Sequence, residues 1–216
     1  MIFNLQSTKN KLLEKSYNQS MKEIGDFFEF KWKENKPKFF IVKDRNSVDE
    51  LQERKTENWV CGWVRNLNLY ILERNSFSKE ISNKGYSKLV KHELTHCFFQ
   101  IFSEIIDKPI KPKWLSEGVA IYLADQINPD RMPTKFKSFL FFYEGNQKKN
   151  GYNIYSESGF VVKLLIEAYG KKRLLKLIKS LKENDTQKKF NKKFEEIYGF
   201  KLNYGTFNKK FSCLKK

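Results

Sequence analysis

The sequence predicts an α+β fold, with a small N-terminal sheet and a long helix in front of a helical C-terminal lobe. Two observations carry this. β-Favouring runs are confined to residues 38–73, and apolar residues after residue 86 recur mostly at spacings of three and four. At 216 residues and 40 % hydrophobic, the chain can bury one core, and it reads as a single domain with an α/β lobe at 1–126 and a helical lobe at 127–216.

Residues 7–30 place Leu12, Leu13, Tyr17, Met21, Ile24, Phe27 and Phe28 along one helical stripe, whose expected use is core packing. After Pro37, KFFIVKD reads as a strand, and SVDELQERK as a helix capped by Ser47 with an acidic first turn. NWVCGWV and LNLYILE follow as a hairpin turning at Arg65 and Asn66, with Leu67, Leu69 and Ile71 alternating against Asn68, Tyr70 and Leu72. From Tyr86 to Ile106, Leu89, Val90, Leu94, Cys97, Phe98, Ile101, Phe102 and Ile105 keep helical spacing. WLSEGVAIYLADQ resumes as a helix with Pro112 near its start. Residues 128–151 form a connector with a short helix in TKFKSFLFFYE, and four further helices complete the chain, the first and third stopping at Gly170 and Gly199.

No apolar run approaches the roughly 18 residues that span a bilayer, and MIFNLQSTKNKLLEK lacks the plan of a signal peptide, so a cytoplasmic location is expected. Cys61, Cys97 and Cys213 are too few and too scattered for a disulfide framework. The net charge of +17 raises nucleic acid as a partner, but only six of the 42 basic residues are arginine. Dispersed lysine favours a solvated surface over a phosphate-reading face.

The only two histidines of the chain, His92 and His96, lie four apart in KLVKHELTHCFFQ. Chance would place a His-Glu-x-x-His match in such a chain with a probability on the order of 10⁻³. Four-residue spacing puts both imidazoles on one helix face, able to bind one metal ion, with Glu93 beside it to take a proton from water. A catalytic zinc site uses three protein ligands, and no third histidine exists. Among the carboxylates, Glu117 in PKWLSEGVAIYLA is best placed: it lies on the next helix, beside small Gly118 and Ala120, amid apolar neighbours where a lone carboxylate would be costly.

HELTH, followed 21 residues later by the Glu of WLSEGVAIY, resembles the gluzincin zinc metallopeptidases, the thermolysin and aminopeptidase N group. It is especially similar to their compact peptidase MA-like members, with the pattern P-x-W-L-x-E-G-x-A-x-Y. The resemblance extends through YSESGFVVKLLIEAYG and FEEIYG, about residues 58–212. It implies a zincin-like fold, one Zn²⁺ held by His92, His96 and Glu117, Glu93 as catalytic base, and Tyr155 as a hydrogen-bond donor to the oxyanion. No Gly-x-Met-x-Asn segment precedes the metal helix, which points to an endopeptidase acting on peptide or protein substrates; Ile121, standing where thermolysin-type enzymes carry Asp, is a further departure from the family pattern. The edge expected to align such a peptide is that of the strand at Leu67 to Glu73. The competing expectation is a catalytically weak metal-containing regulatory or nucleic-acid-binding protein.

Overall fold

The computed structural model describes residues 9–144, 148–149 and 151–212; Cys213 falls outside them. The architecture is mixed α and β, mostly helical, with one three-stranded sheet. Among the described residues no helix is long and apolar enough to cross a membrane.

Helix α1 (Lys11–Phe28) starts where the Asn10 side chain accepts from Leu13 N at 3.1 Å and ends at Glu29, whose φ of 55° breaks the helix. Its stripe buries Leu13, Ile24 and Phe28, and Phe28 stacks on Phe98. Strand β1 (Phe39–Val42) leads into helix α2 (Arg45–Leu51). The cap of α2 is Asp44, not Ser47: the Asp44 carboxylate accepts from both the amide and the hydroxyl of Ser47 at 2.9 Å, so Ser47 already sits inside the first turn.

Strands β2 (Gly62–Arg65) and β3 (Asn68–Leu72) form the hairpin, turning at Asn66 and Leu67, one residue later than expected. Both turn residues have positive φ, 51° and 54°, the geometry that matches strand twist in a two-residue turn. Because α2 carries the chain across the sheet, β1 pairs parallel with β3, and the strand order is β1-β3-β2. β3 therefore occupies the centre and has no free edge, which corrects the expected substrate-aligning strand. The physical reason lies in its side chains: Leu69, Ile71 and Leu72 are fully buried, apolar on both faces, as a central strand must be. One face, with Phe39, Ile41, Val64, Leu69 and Ile71, packs into the main core; the other, with Val42, Trp63, Tyr70 and Leu72, packs with Val48 of α2.

Helix α3 (Asn83–Ser103) runs between the sheet and α1, and helix α4 (Lys113–Leu123) crosses it. All residues of α4 from Trp114 to Ile121 are buried. Its other side meets helix α5 (Ser158–Tyr169) so closely that a Cβ on Gly118 would lie 2.4 Å from the Ser158 carbonyl oxygen, and one on Gly159 2.5 Å from Ile121. The connector forms a 3₁₀ turn at Phe139–Phe141. Helices α6 (Lys171–Ser180), α7 (Gln187–Tyr198) and α8 (Tyr204–Phe211) complete the lobe, with Gly170 and Gly199 at positive φ closing α5 and α7. Trp114, Phe136, Phe139, Phe190, Phe194, Phe207 and Phe211 interlock there as buried aromatic side chains.

Candidate metal centre

His92 and His96 lie on successive turns of α3 and face α4, which presents Glu117 to them. The two Nε2 atoms are 3.2 Å apart, and Glu117 Oε2 lies 3.4 Å from His92 Nε2 and 3.7 Å from His96 Nε2. A tetrahedral ion with bonds of about 2.05 Å holds its ligand atoms about 3.3 Å apart, so the three spacings suit one small cation. These three residues form a group that could hold a metal ion.

The surrounding hydrogen bonds agree. Gln126 Oε1, an acceptor, lies 2.8 Å from His92 Nδ1, which must then carry the proton and leave Nε2 a lone pair aimed at the centre. His96 Nδ1 lies 3.1 Å from Ser116 Oγ, a hydroxyl that can accept from it or donate to it and holds the ring in place either way. Glu117 Oε2 is buried and receives no hydrogen bond, whereas Oε1 is held by Lys113 Nζ at 2.8 Å. A buried acceptor oxygen converging with two imidazole nitrogens is an environment that a cation satisfies.

Charge around the centre is strongly coupled. Burial pushes Glu117 up, but Lys113 and the two histidines outweigh it and hold the carboxyl well below its usual range. Burial likewise disfavours charge on His92, yet Glu117 and Glu93 raise it overall. Glu93 is shifted upward, chiefly by burial.

Glu93 shares the cleft with the three candidate ligands without belonging to the group. Its carboxylate rests against strand β2, where a Cβ on Gly62 would come within 2.8 Å of Oε1 and 2.9 Å of Cγ. Tyr155, on a 3₁₀ turn (Ile154–Ser156) before α5, also lines this cleft, and burial together with Glu117 and Glu93 raises its phenol, keeping it a donor at neutral pH. Two residues on, Glu157 accepts from the amides of Ser138 at 2.9 Å and Phe139 at 3.0 Å, tying the connector to the Tyr155 turn.

The structure thus gathers His92, Glu93, His96, Glu117 and Tyr155 around one cleft. Sequence reasoning missed Lys113, Ser116, Gln126 and Gly62. Lys113 carried a legible signal, four residues before Glu117 on the same helix face. Gly62 carried another, an isolated glycine in a β-favouring run, which marks close approach of a neighbour. Gln126 lies past the end of α4 and had none. The chain matches no known protein-family model, no curated protein and no solved structure.

Proposed function

We propose that this protein is a zinc-dependent endopeptidase of the gluzincin kind, with His92, His96 and Glu117 as ligands and Glu93 as general base. The observation that carries the reading is the convergence of two Nε2 atoms and one unbonded carboxylate oxygen at spacings of 3.2 to 3.7 Å, with Glu93 beside them on the same cleft. Two nitrogens and one oxygen in a tetrahedral arrangement with one open position favour zinc. The order of parts, an edge strand, the HELTH helix and then the Glu117 helix, agrees with a zincin-like fold.

Bound there, the ion would act as a Lewis acid that polarises the scissile carbonyl and acidifies water in the site. Glu93 takes the proton from that water and passes it to the leaving amine. The Tyr155 phenol donates to the oxygen where negative charge develops. Substrate main chain is aligned by β2. Leu72 N donates to Cys61 O at 2.8 Å, which fixes the alternation of the ladder and turns the main-chain groups of Gly62 and Val64 toward the open edge.

The test compares wild type with Glu93→Gln for bound metal and for cleavage of a peptide library. The expected result is about one equivalent of zinc in both, and a loss of turnover of at least about 10²-fold in the variant. Undiminished cleavage by Glu93→Gln, or failure of the wild type to retain a divalent ion, refutes the proposal.

A further inference from the structure

Charge on the walls of the cleft is one-sided. Apart from Glu93 and Glu117 at its centre, the charged residues lining it are Arg54, Lys108 and Lys113, all cationic. Lys113 is engaged by Glu117. Lys108 meets Glu183 at 3.4 Å, but both side chains are more than half exposed, so water and salt screen that pair and it yields readily to a competing anion. Arg54, exposed on the loop after α2, makes no ion pair among the described residues. A guanidinium left open beside a cleft is a planar fork suited to a carboxylate.

Two of the four exposed large apolar side chains among the described residues stand at the same place. Trp59 is 40 % exposed and Tyr155 38 % exposed, and their rings meet edge to face at 6.4 Å from opposite lobes. The loop that carries Trp59 is not loose. Arg45 donates to the carbonyls of Asn58 at 3.0 Å and Val60 at 2.6 Å, and Asp49 accepts from Thr56 N at 2.9 Å. Large aromatic surface held rigidly in water at a cleft mouth marks a contact for an apolar group of a ligand.

We propose that the cleft selects acidic peptide segments: an extended chain with Asp or Glu residues that reach Arg54 and Lys108, and an apolar side chain seated against Trp59 and Tyr155. This names the substrate class of the endopeptidase site and rests on that reading for the chemistry, though not for the binding. Focusing by a cationic rim around a cleft raises the local concentration of an anionic chain.

The test uses full-length Glu93→Gln protein loaded with zinc, and three labelled decapeptides with the same apolar centre and Glu, Gln or Lys flanks, read by fluorescence anisotropy. The Glu-flanked peptide should bind about tenfold or more tighter than the Gln-flanked one, the Lys-flanked peptide weakest, and the ratio should shrink as salt rises. Arg54→Glu combined with Lys108→Glu should abolish or invert the order. Lys172→Glu combined with Lys188→Glu, an equal change in net charge at exposed sites on α6 and α7, should preserve it. Equal binding of the three peptides, or loss of preference in both double variants alike, overturns the proposal. If the order holds while wild-type protein cleaves none of the peptides, the hydrolase reading fails and the selectivity stands; if all are cleaved equally, the selectivity alone fails.

Discussion

Gly62→Ala tests whether Glu93 acts from a position set by β2. The added Cβ would stand 2.8 Å from Glu93 Oε1, 2.9 Å from Cγ and 3.0 Å from Cδ. Ordinary contact needs about 3.4 Å or more, so one partner has to retreat by about half an ångström. β2 resists, because Trp63 lies flat on Tyr70 at 5.2 Å and 7° and fixes the strand from its other face. The Glu93 side chain then gives way. Misplacing a reacting group by this much costs about 10- to 100-fold in rate, about 1.4 to 2.7 kcal/mol in barrier. Steady-state kinetics on a fluorogenic peptide should show kcat falling by that factor with KM changed little, and zinc content unchanged. Urea unfolding supplies a second readout: the overpacking should destabilise by about 1 to 3 kcal/mol in the wild-type background and hardly at all with Glu93→Ala, where the obstructing atoms are gone. Wild-type kcat in Gly62→Ala, or an equal stability loss in both backgrounds, would refute the positioning argument.

Removal of metal by a chelator should lower Tm: zinc at about a hundred times its Kd adds about 2.7 kcal/mol, which for a chain of this size is a shift of about 5 to 10 °C, recovered on zinc readdition and visible by scanning calorimetry. Gln126→Leu and Ser116→Ala should each weaken zinc affinity by about 10- to 100-fold in a competition titration with a chelating dye, because each frees the Nδ1 that sets a ligand imidazole. Acid should erode the start of α2. Hydrogen bonds from Ser47 hold the Asp44 carboxyl below its ordinary 3.8, so its stabilising contribution is complete above that pH and is lost as pH falls through the lower folded value. The fall in Tm below about pH 4 should accordingly be shallower in Asp44→Ala than in wild type.

How much of this was legible in the sequence follows from whether a feature is local. Helices α1, α3 and α5 to α8 show in the spacing of their own apolar residues, and the motif that supplies His92, Glu93 and His96 lies within two turns of one helix. The strand order does not show, because the parallel pairing of Phe39 with Leu69 joins segments thirty residues apart, and no residue in β3 announces which neighbour will take each edge. The cap of α2 was misread for a smaller reason: Asp44 and Ser47 are both good caps, and only backbone geometry chooses between them. Tyr155 could be placed before α5 by pattern, but its arrival opposite Trp59 depends on the whole connector, which Glu157 ties down through backbone amides.

The charge arrangement of the centre also constrains what the fold can be for. Glu93 and Glu117 are 6 % and 3 % exposed, and among the described residues Lys113, the cation fixed beside them, pairs with Glu117. Apolar residues of similar volume at these two positions would pack between α3, α4 and β2 without the cost of stripping two carboxylates of water. Stability therefore gives no reason to keep them there. Their geometry does: Lys113 takes one oxygen of Glu117 and leaves the other unbonded toward two imidazoles, which Gln126 and Ser116 hold from the far side through their Nδ1 atoms. A buried site that turns two imidazole nitrogens and one unbonded carboxylate oxygen toward each other is well satisfied by a cation between them, and this is why the convergence outweighs the lysine-rich surface as a guide to function.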